Sequence, residues 1–170
     1  MRRRASICSV GLIIFLAPAT LRAQLQHGDW ELTLAGTGVS PAHGGIAAGA
    51  RAGIGYFLTD QFEFSLRQQV AYSDIGAPGA FFGQTRFALD FNLAFGNWQP
   101  FIGAQFAYQY GDLVSDSLEA GPELGIRYFV NRSTFIYATA EYDVFFNSSG
   151  SSSSSEDNQF AFAIGIGFKL

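Results

Sequence analysis

Gln159-Phe160-Ala161-Phe162-Ala163-Ile164-Gly165-Ile166-Gly167-Phe168-Lys169-Leu170 is the stretch whose reading decides the fold. Phe160, Phe162, Ile164, Ile166, Phe168 and Leu170 are large and apolar, and the residues between them are Ala, Gly or Lys. A period of two is the mark of a strand whose faces meet different surroundings. The same alternation recurs upstream. It predicts strands over Asp29–Thr37, Ile46–Leu58, Phe62–Tyr72, Phe81–Phe95, Pro100–Tyr110, Leu118–Val130 and Thr134–Phe145, with Gln159–Leu170 as the eighth. Short turns at Thr59-Asp60-Gln61, Gly96-Asn97-Trp98-Gln99 and Asn131-Arg132-Ser133 alternate with four longer connections. The longest of these, Asn147 to Asn158, holds a serine run. Gly53-Ile54-Gly55-Tyr56-Phe57-Leu58-Thr59 is repeated in outline by Gly125-Ile126-Arg127-Tyr128-Phe129-Val130-Asn131.

Alternation alone fits a soluble sandwich or a membrane barrel, so the second face must decide. That face carries Asp29, Glu31, Arg51, Glu63, Arg67, Arg86, Asp90, Glu119, Glu123, Arg127, Glu141, Asp143 and Lys169, and the apolar face carries no charge. The charged face is also rich in Gly and Ala, which suit a narrow interior and weaken a solvent-facing strand. The apolar face holds Phe62, Phe64, Phe81, Phe87, Phe91, Phe95, Phe106, Phe160, Phe162 and Phe168. Eight strands enclose too little space for so many rings, so the Phe face is predicted to point outward. Every backbone group in hydrocarbon needs a partner, and a strand protein meets that need by closing on itself. The expected fold is an eight-stranded antiparallel up-and-down transmembrane β-barrel. Its lumen charges must pair to be tolerated. The candidates are Glu31, Arg51, Glu63, Arg67, Arg86, Asp90, Glu123, Arg127, Glu141 and Asp143. Pro122 falls on a predicted strand. It cannot donate to a ladder, so a bulge or a rim position is expected there.

Composition agrees. The 170 residues are 48% hydrophobic and 16% aromatic but only 14% charged, against about 25% charged in an average soluble protein. A formal charge of −4 excludes a general nucleic-acid binder. A single cysteine excludes a disulfide framework or a multi-Cys metal site. Residues 1–23 read as a cleavable signal peptide: Met1-Arg2-Arg3-Arg4, an apolar run from Ile7 to Ala19, and cleavage between Ala19 and Ala23. That run is too short to span a bilayer as a helix. Residues 24–170 form the barrel domain.

The C-terminal stretch Phe160 to Leu170 resembles the terminal recognition strand of bacterial outer-membrane barrels, with Leu170 where Phe is usual. Gly55-Tyr56-Phe57-Leu58-Thr59-Asp60, Gln99-Pro100-Phe101-Ile102-Gly103-Ala104 and Gly121-Pro122-Glu123-Leu124-Gly125 are similar to the same family. The chain is identified as resembling the small OmpA/OmpX-type barrels. The resemblance implies an outer-membrane location in a Gram-negative envelope, lipid as the surrounding partner, and recognition by the barrel-insertion machinery. A monomer with four exposed loops, a structural or surface-interaction role and an unknown surface ligand is expected. Enzymes of this fold, the lipid A deacylases and palmitoyltransferases, need a histidine on a strand. Here His27 precedes the first strand and His43 lies in the first loop. No catalytic residue, metal, cofactor or nucleic-acid partner is expected. Two alternatives stand: a narrow channel, which the acidic surplus would make cation-preferring, and a soluble periplasmic barrel binding an apolar ligand.

Overall fold

A computed structural model describes residues 24–39, 47–73, 79–111, 117–146 and 158–170. The signal segment, His43 and most of the four longer connections lie outside the described residues. Eight strands follow in chain order: β1 (Trp30–Val39), β2 (Ala47–Phe57), β3 (Phe62–Ser73), β4 (Ala80–Asn92), β5 (Trp98–Gly111), β6 (Ser117–Phe129), β7 (Thr134–Phe146) and β8 (Asn158–Lys169). Each pairs antiparallel with its neighbours, and β1 pairs with β8, closing the barrel. The closure runs from Glu31↔Lys169 to Gly36↔Ile164.

The two faces separate as the alternation requires. Ile164 is 73% exposed and Leu124 60%, whereas Glu63, Asp90, Glu141 and Asp143 are 0% exposed. Apolar side chains therefore cover the outside, and charge lies within. Tilted ring pairs mark both ends of the belt. Trp30–Tyr56 (4.8 Å) and Trp98–Tyr128 (4.5 Å) stand near the tight turns, and Tyr72–Phe81 (5.2 Å) and Tyr142–Phe160 (4.8 Å) near the longer connections.

Two local expectations are corrected. The strand predicted to reach Phe95 ends at Asn92, and β5 begins at Trp98 instead of Pro100. Phe95 and Trp98 exchange backbone bonds of 2.8 and 2.9 Å across a two-residue loop. Gly96 makes so tight a turn possible with φ 61°. At Pro122 there is no bulge. Register pairs stop after Ala120↔Val144 and resume at Glu123↔Glu141 with the same offset. The ladder opens locally and no residue is inserted, because Gly121 beside the proline lets the Tyr142 carbonyl come close.

Two of the tight turns are capped by their own side chains. Thr59 Oγ1 accepts the backbone N–H of Gln61 (3.2 Å) and Phe62 (2.9 Å). Asn131 Oδ1 accepts those of Ser133 (2.9 Å) and Thr134 (2.8 Å). These are the last residues of the two repeated heptapeptides, so the repeat is one structural device used twice.

Candidate functional site

Among the described residues, the lumen gathers polar and charged side chains from every strand. Arg51, from β2, holds Glu141 of β7 through both guanidinium nitrogens (2.5 and 3.1 Å) and donates to Gln69 (3.0 Å). Arg67, from β3, grips Glu123 of β6 with two bonds (2.7 and 2.9 Å) and reaches Asp90 of β4 at 3.0 Å. Arg86, from β4, donates to Glu141, to Gln84 (3.1 Å) and to Asp143 (3.3 Å). Arg127, from β6, donates to Glu63 (2.5 Å) and Asn92 (2.5 Å), and its Nε lies 3.1 Å from Glu31. All ten sequence candidates thus lie inside the barrel, in three groups centred on Arg51 with Arg86, on Arg67 and on Arg127; Arg67 lies 3.9 Å from Glu141 and so adjoins the first group. Forked guanidinium–carboxylate pairs are the geometry that makes buried charge tolerable. At the turn end Lys169 pairs with Asp29 (2.5 Å) and donates to Gln24 O (3.1 Å).

Small residues make room for this network. The carboxylate of Asp90 sits where a Cβ at Gly103 would stand, and Glu63 and Glu31 fill the space over Gly55. Likewise Phe101 lies over Gly125, Tyr137 over Gly165 and Phe135 over Gly167. A large inward side chain on one strand is accommodated by a glycine on the next.

The turn end of the lumen is apolar, which the sequence reading missed. Phe57, Phe129 and Phe135 are buried together with Leu25, and Tyr137 packs against them. Phe129 and Phe135 lie 5.1 Å apart. The Arg127 guanidinium covers this cluster, 4.3 Å from the Phe101 ring centre. Leu25 arrives on the segment Gln24–Asp29, which folds across the mouth. Leu25 N–H donates to Gln99 Oε1 (3.3 Å), Gln24 Nε2 donates to Gly96 O, and Gly28 N–H donates to Phe57 O (2.9 Å). His27 is fixed on this segment: its N–H donates to Asp60 Oδ1 (3.0 Å) and Nδ1 lies 2.8 Å from Leu58 O. The signal was present in Tyr56-Phe57 and Tyr128-Phe129. Adjacent residues of a strand face opposite ways, so one ring of each pair had to point inward.

The buried carboxylates of Glu31, Glu63, Asp90, Glu119, Glu123, Glu141 and Asp143 outnumber the guanidinium groups of Arg51, Arg67, Arg86 and Arg127, and an apolar cluster packs at one end. Among the described residues no cluster of three or more His, Cys, Asp or Glu side chains could hold a metal ion.

No family profile matches this sequence, and no curated protein sequence matches it. Solved structures do. The N-terminal β-barrel domain of Pseudomonas aeruginosa OprF superposes with a TM-score of 0.61 at 18% identity, covering 86% of this chain and 100% of that one. The outer membrane protein OprG from Pseudomonas aeruginosa gives 0.56 at 15% identity, covering 87% and 98%. Neisserial surface protein A gives 0.55 at 14% identity, covering 84% and 94%. A closed ring of eight antiparallel strands is thus the fold this chain shares with small outer-membrane β-barrels.

Proposed function

We propose that this chain is an integral outer-membrane barrel with a structural or surface-interaction role. It is exported by its N-terminal segment and exposes its longer connections at the exterior. The observation that carries this reading is the belt. Large apolar side chains stand exposed on all eight strands, from Leu34 on β1 to Ile164 on β8, while the strand charges other than Lys169, at the end of β8, are buried. A soluble protein leaves no such continuous apolar surface open to water. Lipid solvates it, and closure satisfies the backbone. The role is non-enzymatic, because the buried carboxylates engage guanidinium groups and the one described histidine is bonded to backbone and turn. The terminal residues Phe160, Phe162, Ile164, Ile166, Phe168 and Leu170 serve as the assembly signal read by the insertion machinery.

Fractionation of a Gram-negative host expressing the full chain tests the proposal. The expected result is a band in the outer-membrane fraction that migrates faster unboiled than boiled. A soluble periplasmic protein with no heat-modifiable band would overturn it.

A further inference from the structure

The ladder that closes the barrel is shorter than the two beside it. β1 pairs with β2 as far as Val39↔Ala47, and β7 pairs with β8 as far as Val144↔Asn158. Between β1 and β8 the register stops at Gly36↔Ile164. Each residue of an antiparallel strand turns its N–H and C=O to one neighbour, and successive residues alternate. Leu170 N–H donates to Trp30 O on the β1 side, and Lys169 N–H donates to Ser133 O on the β7 side. By that alternation Phe160 and Phe162 present their backbone groups to β1, which offers them no register partner. Their rings are correspondingly bare. At 71% and 67% they are the most exposed phenylalanines among the described residues.

Side chains span the seam where the ladder ends. Arg51 and Glu141 stand on β2 and β7, the strands that flank the β1–β8 pair. Arg51 is level with Ala35, beside the last rungs, and Glu141 is level with Ala161, beyond them. Both are buried, and their forked pair (2.5 and 3.1 Å) crosses the lumen side of the seam at its opening. A forked ion pair fixes two edges at one point, whereas a ladder fixes them along its length. We propose that the loop-side half of the β1–β8 seam is a side gate in the barrel wall, with the Arg51–Glu141 pair as its clasp. The two strands part and rejoin there while the rest of the ring stays paired. Parting joins the surroundings of Phe160 and Phe162 to the lumen. Rejoining needs no new register, because the same offset brings Gly38 opposite Phe162. The gate requires the closed barrel but not its location in a membrane, so its failure is separate from failure of the outer-membrane reading.

Amide hydrogen exchange, read residue by residue by NMR on the detergent-folded chain, tests the gate. In the wild type Phe160 and Phe162 should exchange at least about ten-fold faster than Ile164 and Ile166, which face β1 across paired rungs, and than Ala161 and Ala163, which face β7. Arg51→Met should extend the fast exchange to Ile164 and leave Phe106, across the ring on β5, unchanged. Arg51→Lys keeps the charge without the fork and should fall between. Protection of Phe160 and Phe162 equal to that of Ile164 would overturn the gate, and this comparison stands even if Arg51→Met folds poorly. Equally fast exchange from Phe160 through Ala163 would show a frayed strand end and overturn it too. So would an Arg51→Met barrel in which Ile164 stays as slow as in the wild type, or in which Phe106 speeds up equally, since the pair would then not act on the seam.

Discussion

Replacing Arg67 by Met tests the ion pairs of the lumen at one of their hubs. Arg67 is the partner of two fully buried carboxylates, Glu123 through two bonds and Asp90 through one. Met keeps much of the apolar stem and fills similar space above Gly53, whose missing Cβ gives the Arg67 chain its room. The loss is therefore electrostatic rather than one of packing. Breaking a buried pair by removing one partner costs about 3–5 kcal/mol, because a charge is left uncompensated. At a urea slope of about 2 kcal/mol/M the unfolding midpoint falls by roughly 2 M. The assay is urea unfolding in lipid vesicles, read by the fluorescence of Trp30 and Trp98 and by gel mobility. A second variant supplies the control. Arg67→Met combined with Asp90→Asn and Glu123→Gln removes the stranded charges and should recover most of the loss, ending within about 1–2 kcal/mol of wild type. Arg67→Met within about 1 kcal/mol of wild type would refute the reasoning. So would a triple variant as damaged as the single one, since the cost would then lie in packing.

Leu89→Arg and Ile164→Arg put charge on the exposed apolar face, and each should cost about 2–4 kcal/mol at the midplane. Gln61→Arg, in an exposed turn, should stay within about 0.5 kcal/mol, as the same vesicle titration will show. Phe135→Ala empties the centre of the apolar plug and should cost about 3–5 kcal/mol. Planar-bilayer recordings of the wild type should show no stable current steps, because Leu25, Phe57, Phe129 and Phe135 are packed together at one end. Gly125→Val would force the Phe101 ring aside and approach the Ala138 carbonyl oxygen, costing about 1–3 kcal/mol. Gly36→Ala, where a Cβ meets nothing within 4 Å, should leave the unfolding midpoint unchanged.

The strands and their faces were legible because a half-buried strand writes its surroundings at every second residue. Phe160 to Leu170 needs no context to be read that way, and the placement of Glu63, Arg67 and Asp90 follows from the same period. The plug was harder. Phe57 and Phe129 belong to the charged face by parity, but they are apolar, and composition assigned Phe as a class to the outside. Pairing adjacent aromatics in the repeated heptapeptide would have found them. β2 and β6 lie on opposite sides of an eight-strand ring, so the repeat sends two rings inward to meet. The folding back of Gln24–Asp29 left no trace of period, because Leu25 is a single apolar residue among polar ones. Which acid meets which arginine was equally hidden. Arg51 and Glu141 are 90 residues apart in sequence and come from strands that are not neighbours, so only the closed lumen brings them together.

A lumen of ion pairs is a poor source of stability compared with a well-packed apolar one, so its presence calls for another reason. Register supplies it. Sliding β3 by one residue against β2 would turn Glu63 and Arg67 outward and Phe64 and Leu66 inward. Each charge brought to the outer face costs up to about 4 kcal/mol in lipid, and each ring brought inward meets space cut for a glycine. The slide would also separate Arg67 from Glu123 and Asp90, leaving three buried or lipid-facing charges unpaired. An apolar lumen imposes weaker penalties of this kind, since a shifted Leu is welcome on either face. The charges and glycines of the inner face therefore select one arrangement of eight strands, and the apolar outer face supplies the attraction that all arrangements share.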